Sequence, residues 1–225
     1  MGRLIAIGDI HGCYRTFYEL VNKHIGLKKS DRLILLGDYI DRGPAIKEVV
    51  DYIMDLIATG FDVTPLMGNH EWMMVGSYDD PAMLRLWYYN EGMTTLSSFG
   101  VTSVLEISRR YIGFFRNLKY YEKVGDFYFV HGGFNDDIED PFSDTESMIW
   151  ESRLSYKNPI FEGKRIVHGH RPKQLEYTKK LVEENSHVLP IDTGCVYGRE
   201  MNYGYLTALD VNSMKLISIE NIDWE

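Results

Sequence analysis

Asp9, His11, Asp38, Asn69 and His70 are the side chains in this sequence best equipped, by type and spacing, to do chemistry. Each follows an apolar run of strand length. Leu4 to Ile7 leads into Gly8-Asp9-Ile10-His11-Gly12, Leu33 to Leu36 into Gly37-Asp38-Tyr39-Ile40-Asp41-Arg42-Gly43, and Val63 to Met67 into Gly68-Asn69-His70-Glu71. A short apolar run bounded by turn residues reads as a buried strand. In α/β proteins the loops past the carboxyl ends of the strands hold the ligands. Three strand ends therefore bring carboxylate, amide and imidazole groups to one place. Oxygen and imidazole donors of this kind suit Mn²⁺, Fe or Zn²⁺. The pattern is that of a metal site that still needs ligands from later in the chain.

The elements that must position these groups are readable in outline. Apolar or aromatic residues at 13, 14, 17, 20, 21 and 25 have helical spacing, and Gly26 suits the end of that helix. Pro44 opens a second helix, with Ile46, Val49, Val50, Ile53, Met54 and Ile57 on one face, ending near Gly60. Strands joined by such helices form a parallel sheet with right-handed crossovers. From 71 to about 118 strand signals vanish, and this segment reads as helical, beside the active face. After it the chain turns β-rich. Tyr120–Val124 and Asp126–Val130 pair across Gly125, and further strands are expected at 165–167, 188–191, 205–209 and 215–219, with a turn over 210–213.

Five blocks taken in order resemble the phosphoprotein phosphatase family of binuclear metallophosphoesterases. They are the three above with His131-Gly132-Gly133 and Val167-His168-Gly169-His170, and the likeness runs from about Ile7 to Leu209. It implies an α+β fold, an α/β/β/α four-layer sandwich with two stacked mixed sheets and helices outside. It implies two divalent ions, Mn expected and Fe or Zn as alternatives. Asp9, His11 and Asp38 would hold the first, and Asp38, Asn69, His131 and His170 the second, with Asp38 bridging. A hydroxide shared by the ions would attack phosphorus directly. His70 would protonate the departing oxygen, oriented and kept protonated by Asp41. Arg42 would grip phosphate with two parallel N–H groups. Arg153, in Trp150-Glu151-Ser152-Arg153, resembles a second phosphate-binding arginine of bacterial members, and Glu71 would support the metal site. The stretch Trp87 to Leu96 resembles the W…NGG…TL segment of those members, with Met93 in place of the second glycine. Arg171-Pro172 stands where the family usually has Thr-Pro. A guanidinium there could touch substrate or pair with acidic residues.

Other features set bounds. A chain of 225 residues with 44% hydrophobic and 25% charged residues suits one domain spanning 1–225. Net charge is −9, which disfavours nucleic acid and anionic lipid as partners. No apolar run approaches the ~20 residues that span a bilayer, and the N-terminus enters a strand without a secretory segment. Two cysteines, Cys13 and Cys195, give no disulfide framework, so a cytoplasmic monomer is expected. Segment 135–151 carries seven acidic residues and no Lys or Arg, as either a solvated loop or an acidic rim beside His131. The resemblance thus points to a metal-dependent phosphomonoesterase of the bacterial serine/threonine protein phosphatase type, acting on phosphoproteins or phosphopeptides. A symmetric dinucleoside tetraphosphate hydrolase is the alternative, since it shares the scaffold; that branch tends to alter the Asp-Arg-Gly block and to carry Asp in place of Glu71. A non-catalytic binding scaffold is weaker still, because every motif ligand is present.

Overall fold

Alternation along the strands builds the layers. In β1 (Leu4–Ile7) and β2 (Arg32–Leu35), Ile5, Ile7, Leu33 and Leu35 face one core, while Ala6 and Ile34, with Leu36 just past β2, face another. Successive side chains of a strand point to opposite faces, so each strand serves two cores. A computed structural model describes residues 2–198 and 202–224, and in it these strands belong to a five-stranded sheet of order β3-β2-β1-β8-β9. Here β3 is Asp62–Pro65, β8 is Tyr205–Asp210 and β9 is Lys215–Glu220. The three N-terminal strands are parallel, and β8 and β9 join antiparallel. A four-stranded sheet of order β4-β5-β6-β7 is formed by Tyr121–Val124, Phe127–Val130, Arg165–His168 and Val188–Pro190, with β5, β6 and β7 parallel.

The two sheets stack through Ala6, Ile34, Leu36 and Leu209 against Phe129, Val167 and Leu189. On the outer face of the larger sheet lie α1 (Tyr14–Glu19), which runs on as a π-helical turn to Ile25, and α2 (Ile46–Ala58). The helical segment is α3 (Asn69–Gly76), α4 (Pro81–Tyr89), α5 (Gly92–Phe99) and α6 (Arg109–Arg116). Residues 104–117 do not form one continuous helix: a 3₁₀ turn at Val104–Glu106 precedes α6. Outside the smaller sheet, Tyr128, Val130 and Ile166 pack with Phe134, Met148 and Phe161. The four-layer sandwich is as expected. No helix among the described residues is long and apolar enough to cross a membrane.

Two helices depart from the sequence reading. Segment 135–151 is not all loop but contains α7 (Thr145–Trp150), and α8 (Leu175–Glu183) covers a stretch to which the sequence reading assigns no element. Both are short, and α8 buries only Leu175 and Thr178, so the apolar stripe that reveals longer helices is too sparse.

Candidate active site

Every candidate ligand lies just past the carboxyl end of a parallel strand. Asp9 and His11 follow β1, Asp38 follows β2, Asn69 and His70 follow β3, His131 follows β5 and His170 follows β6. The turns that aim them are strained. His11, Asp38, Asp41, Arg42 and His170 account for five of the nine non-glycine residues with positive φ among those described, at 43° to 70°. Left-handed backbone is unfavourable for L-residues and concentrates where function over-determines geometry. Glycine makes room between the turns. At Gly37 (φ 105°), a Cβ would lie 2.9 Å from the His131 ring, and at Gly169 it would overlap the Asp9 carboxylate.

Two ligand groups share Asp38. His11, Asp38 and His70 form one, and Asp38, His131 and His170 the other, with the donor atoms of each group within 4.8 Å of one another. The residues fit a bound cation. His11 Nδ1 donates to Ile40 O (2.8 Å) and His131 Nδ1 to Leu36 O (2.9 Å), which turns each Nε2 lone pair into the site. His131 Nε2 then faces Asn69 Oδ1 at 2.9 Å, acceptor against acceptor, and His170 Nδ1 approaches the same oxygen at 3.0 Å. His170 Nε2 is buried with no partner among the described residues. Burial, reinforced at His11 by the Arg42 charge, lowers the pKa of all three imidazoles, His170 to about 3. They stay neutral, the form that binds metal. Asp9 sits beside these groups, accepting the His170 backbone N–H at 3.0 Å.

His70 and Asp41 are brought together as expected: Nδ1 donates to Asp41 Oδ2 at 2.6 Å, and both are buried. Burial disfavours a charge on His70, yet the carboxylates of Asp38 and Asp41 outweigh it and raise its pKa. Two supports of this pair were not assigned from sequence. Trp87 Nε1 donates to Asp41 (2.9 Å), and Thr95 Oγ1 donates to its other oxygen (2.5 Å). The Trp87 to Leu96 stretch had marked the segment without giving its task. Glu91, not Met93, takes the positive φ there, and Gly92 packs directly on the Trp87 ring.

Arg42 reaches into the centre, with Nη1 2.6 Å from His11 Nε2 and Nη2 3.0 Å from His70 Nε2, and its guanidinium lies 5.6 Å from the Tyr197 ring. Arg153 is placed differently. Its guanidinium donates to Asp137 (2.5 Å) and Glu151 (3.2 Å) in the acidic segment. Much of that segment's charge is structural: Asp136 accepts two backbone N–H groups at 157–158, Asp140 caps the turn at Pro141–Ser143, and Asp144 caps α7. Glu71 accepts from the backbone N–H groups of Asp38, Tyr39, Ile40 and Gly68, holding the β2 and β3 turns together. Asp192, past β7, accepts from Gly194 N–H and shapes the loop that carries Tyr197. Cys13 and Cys195 are both buried and free.

A family model described as calcineurin-like phosphoesterase matches residues 2–208. The chain belongs to that family. Family members bind divalent metals, which agrees with the two ligand groups here. A symmetrical bis(5'-nucleosyl)-tetraphosphatase of Nitrosospira multiformis is 27% identical over 172 residues, 75% of this chain and 57% of that protein. The corresponding protein of Aromatoleum aromaticum is 43% identical over 68 residues, 30% of this chain and 24% of its own length. The chain thus spans little more than half of one relative and about a quarter of the other. A solved putative diadenosine tetraphosphatase shares the fold at a TM-score of 0.67 and 19% identity, covering 98% of this chain and 94% of that one.

These relatives correct the protein phosphatase expectation, and the phosphoprotein partner with it. The physical reason lies in the residues that had favoured it. Asp41 orients a histidine, and Glu71 ties backbone turns together. Neither job depends on whether the leaving group is an alkoxide or a phosphate, so neither residue discriminates the two substrates.

Proposed function

We propose that this chain hydrolyses dinucleoside polyphosphates, cutting a phosphoanhydride bond by direct attack of water at phosphorus. The supporting observation is the extended likeness to a symmetrical bis(5'-nucleosyl)-tetraphosphatase, which takes in three quarters of the chain. Asp9, His11 and Asp38 hold one divalent ion in this reading, and Asp38, Asn69, His131 and His170 a second, with Mn expected. Ions bound there supply a water nucleophile at neutral pH and offset phosphoryl charge. Arg42, in no ion pair with a carboxylate among the described residues, lies 2.6 Å from His11 Nε2 and 3.0 Å from His70 Nε2 and turns its two N–H groups onto phosphoryl oxygens. His70, held protonated by Asp41 and Asp38, gives its proton to the departing phosphate oxygen. Trp87 and Thr95 keep Asp41 from turning away.

Chromatography of products from diadenosine tetraphosphate, with Mn²⁺ added, tests the reading. Two molecules of ADP are expected, at a kcat/KM well above that for a phosphoserine peptide. AMP plus ATP, or no turnover by a preparation that hydrolyses an aryl phosphate, overturns it.

A further inference from the structure

The loop after His170 carries cations that the site described so far does not use. His170 donates its backbone N–H to Asp9, Arg171 N–H bonds Gly169 O (2.8 Å), and Lys173 N–H bonds Asp192 O (2.9 Å). The loop is thus pinned to the carboxyl ends of both β6 and β7, and Pro172 between the two cations restricts it further. The Arg171 side chain is exposed and that of Lys173 half-buried. Among the described residues neither takes part in an ion pair, whereas Arg153, expected from sequence to bind phosphate, already has Asp137 and Glu151.

We propose that Arg171 and Lys173 form a second phosphate site, which holds the part of a polyphosphate chain beyond the phosphorus under attack. This rests on the dinucleoside polyphosphate reading and specifies how such a substrate is told from a monoester. Charge calls for such a site. One phosphoryl group would be matched by Arg42 and the ions that the ligand groups would hold. Each further phosphate brings another negative charge towards a site whose buried lining includes Asp9, Asp38 and Asp192, on a protein of net charge −9. Without cations at the rim those phosphates are repelled. Arg171 can offer paired N–H groups to phosphate oxygens, and Lys173 a mobile point charge beside it. A monoester has nothing to reach them.

The test uses inorganic tripolyphosphate and orthophosphate as probes, titrated into the metal-loaded protein by calorimetry and, separately, as inhibitors of aryl phosphate hydrolysis. Arg171→Gln with Lys173→Gln is expected to weaken tripolyphosphate about tenfold more than orthophosphate. Raising salt should erode tripolyphosphate affinity more steeply in the native chain than in the double variant. Arg171→Lys should recover part of the loss, which a merely misfolded loop would not allow. Equal losses for the two anions, or none, overturn the second site. The outcomes stay separable from the proposed function: if dinucleoside tetraphosphate is not hydrolysed yet the tripolyphosphate preference falls in the double variant, the site stands and the substrate reading falls.

Discussion

Asp31 and Asp38 stand at opposite ends of β2, and their surroundings differ in kind. Asp31, at the amino end, accepts the Arg3 backbone N–H (2.9 Å), the Arg3 guanidinium (2.6 Å) and the Lys28 N–H (3.1 Å). Arg3 spends its other donors on Ile25 O and Gly26 O. The hydrogen bond from Arg3 holds the Asp31 carboxyl down at about 2. Asp38, at the carboxyl end, takes one backbone N–H from His70 at 3.1 Å. Around it the ring nitrogens of His11, His131 and His70 stand at 3.4, 3.5 and 3.9 Å, too far to bond well, and those of His11 and His131 present lone pairs rather than protons. Burial pushes its pKa up, and the positive charge that these imidazoles and Arg42 can carry pushes it down further. One end of the strand satisfies its charge internally; the other leaves its charge for a ligand. A fold can therefore keep stability and function on the same strand, a short distance apart.

The contrast can be broken most severely at Asp38. Asp38→Asn should empty both ion sites and lower turnover roughly 10³-fold or more. Metal analysis beside an activity assay checks both halves; retention of two ions with near-normal turnover refutes the shared ligand. Next in size, His70→Asn should cost roughly 10²–10⁴-fold on alkyl phosphates and less on an aryl phosphate, whose leaving oxygen needs less help. The acid must be protonated, so activity is lost as pH rises through its pKa. Asp41→Asn removes a carboxylate that raises this pKa, and the alkaline limb of the kcat/KM profile should move to lower pH.

At the other end of β2 the signs reverse. Asp31→Asn should leave kcat/KM alone and cost about 2 kcal/mol of stability at neutral pH. A depressed carboxyl pKa contributes stability that is present above the unfolded value, near ~4, and lost as pH falls through about 2. The variant and the native chain should therefore converge in melting temperature towards the acid end of that window. Smallest is Asp144→Ala, which removes the cap of α7 and should cost about 1 kcal/mol with no kinetic effect. A changed kcat/KM there would restore a functional role to the acidic segment.

Legibility followed sequence distance. The strand-end blocks were readable because an apolar run, a glycine and a polar ligand are adjacent in the chain, and strand geometry carries them to one edge. Asp41 with His70 was recoverable through the family likeness. Its supports, Trp87 and Thr95, lie far from it in sequence and meet it only once α4 and α5 fold over the loop. Arg153 illustrates another limit: a cation's type was visible, but not that Asp137 and Glu151 would take it first. The leaving group was the least visible property, since the same ligands serve ester and anhydride.

The ligand groups also join two layers. Asp38 and Asn69 extend from the five-stranded sheet, and His131 and His170 from the four-stranded one, so an ion held among them would act as a rivet through the sandwich. Only the stacked arrangement would bind it, so free metal at a hundred times its dissociation constant would add about 2.7 kcal/mol to the docking of the sheets. Chelation should then loosen the interface between them before it disturbs either sheet, and hydrogen exchange at Phe129, Val167 and Leu189 is where that loosening would first be read.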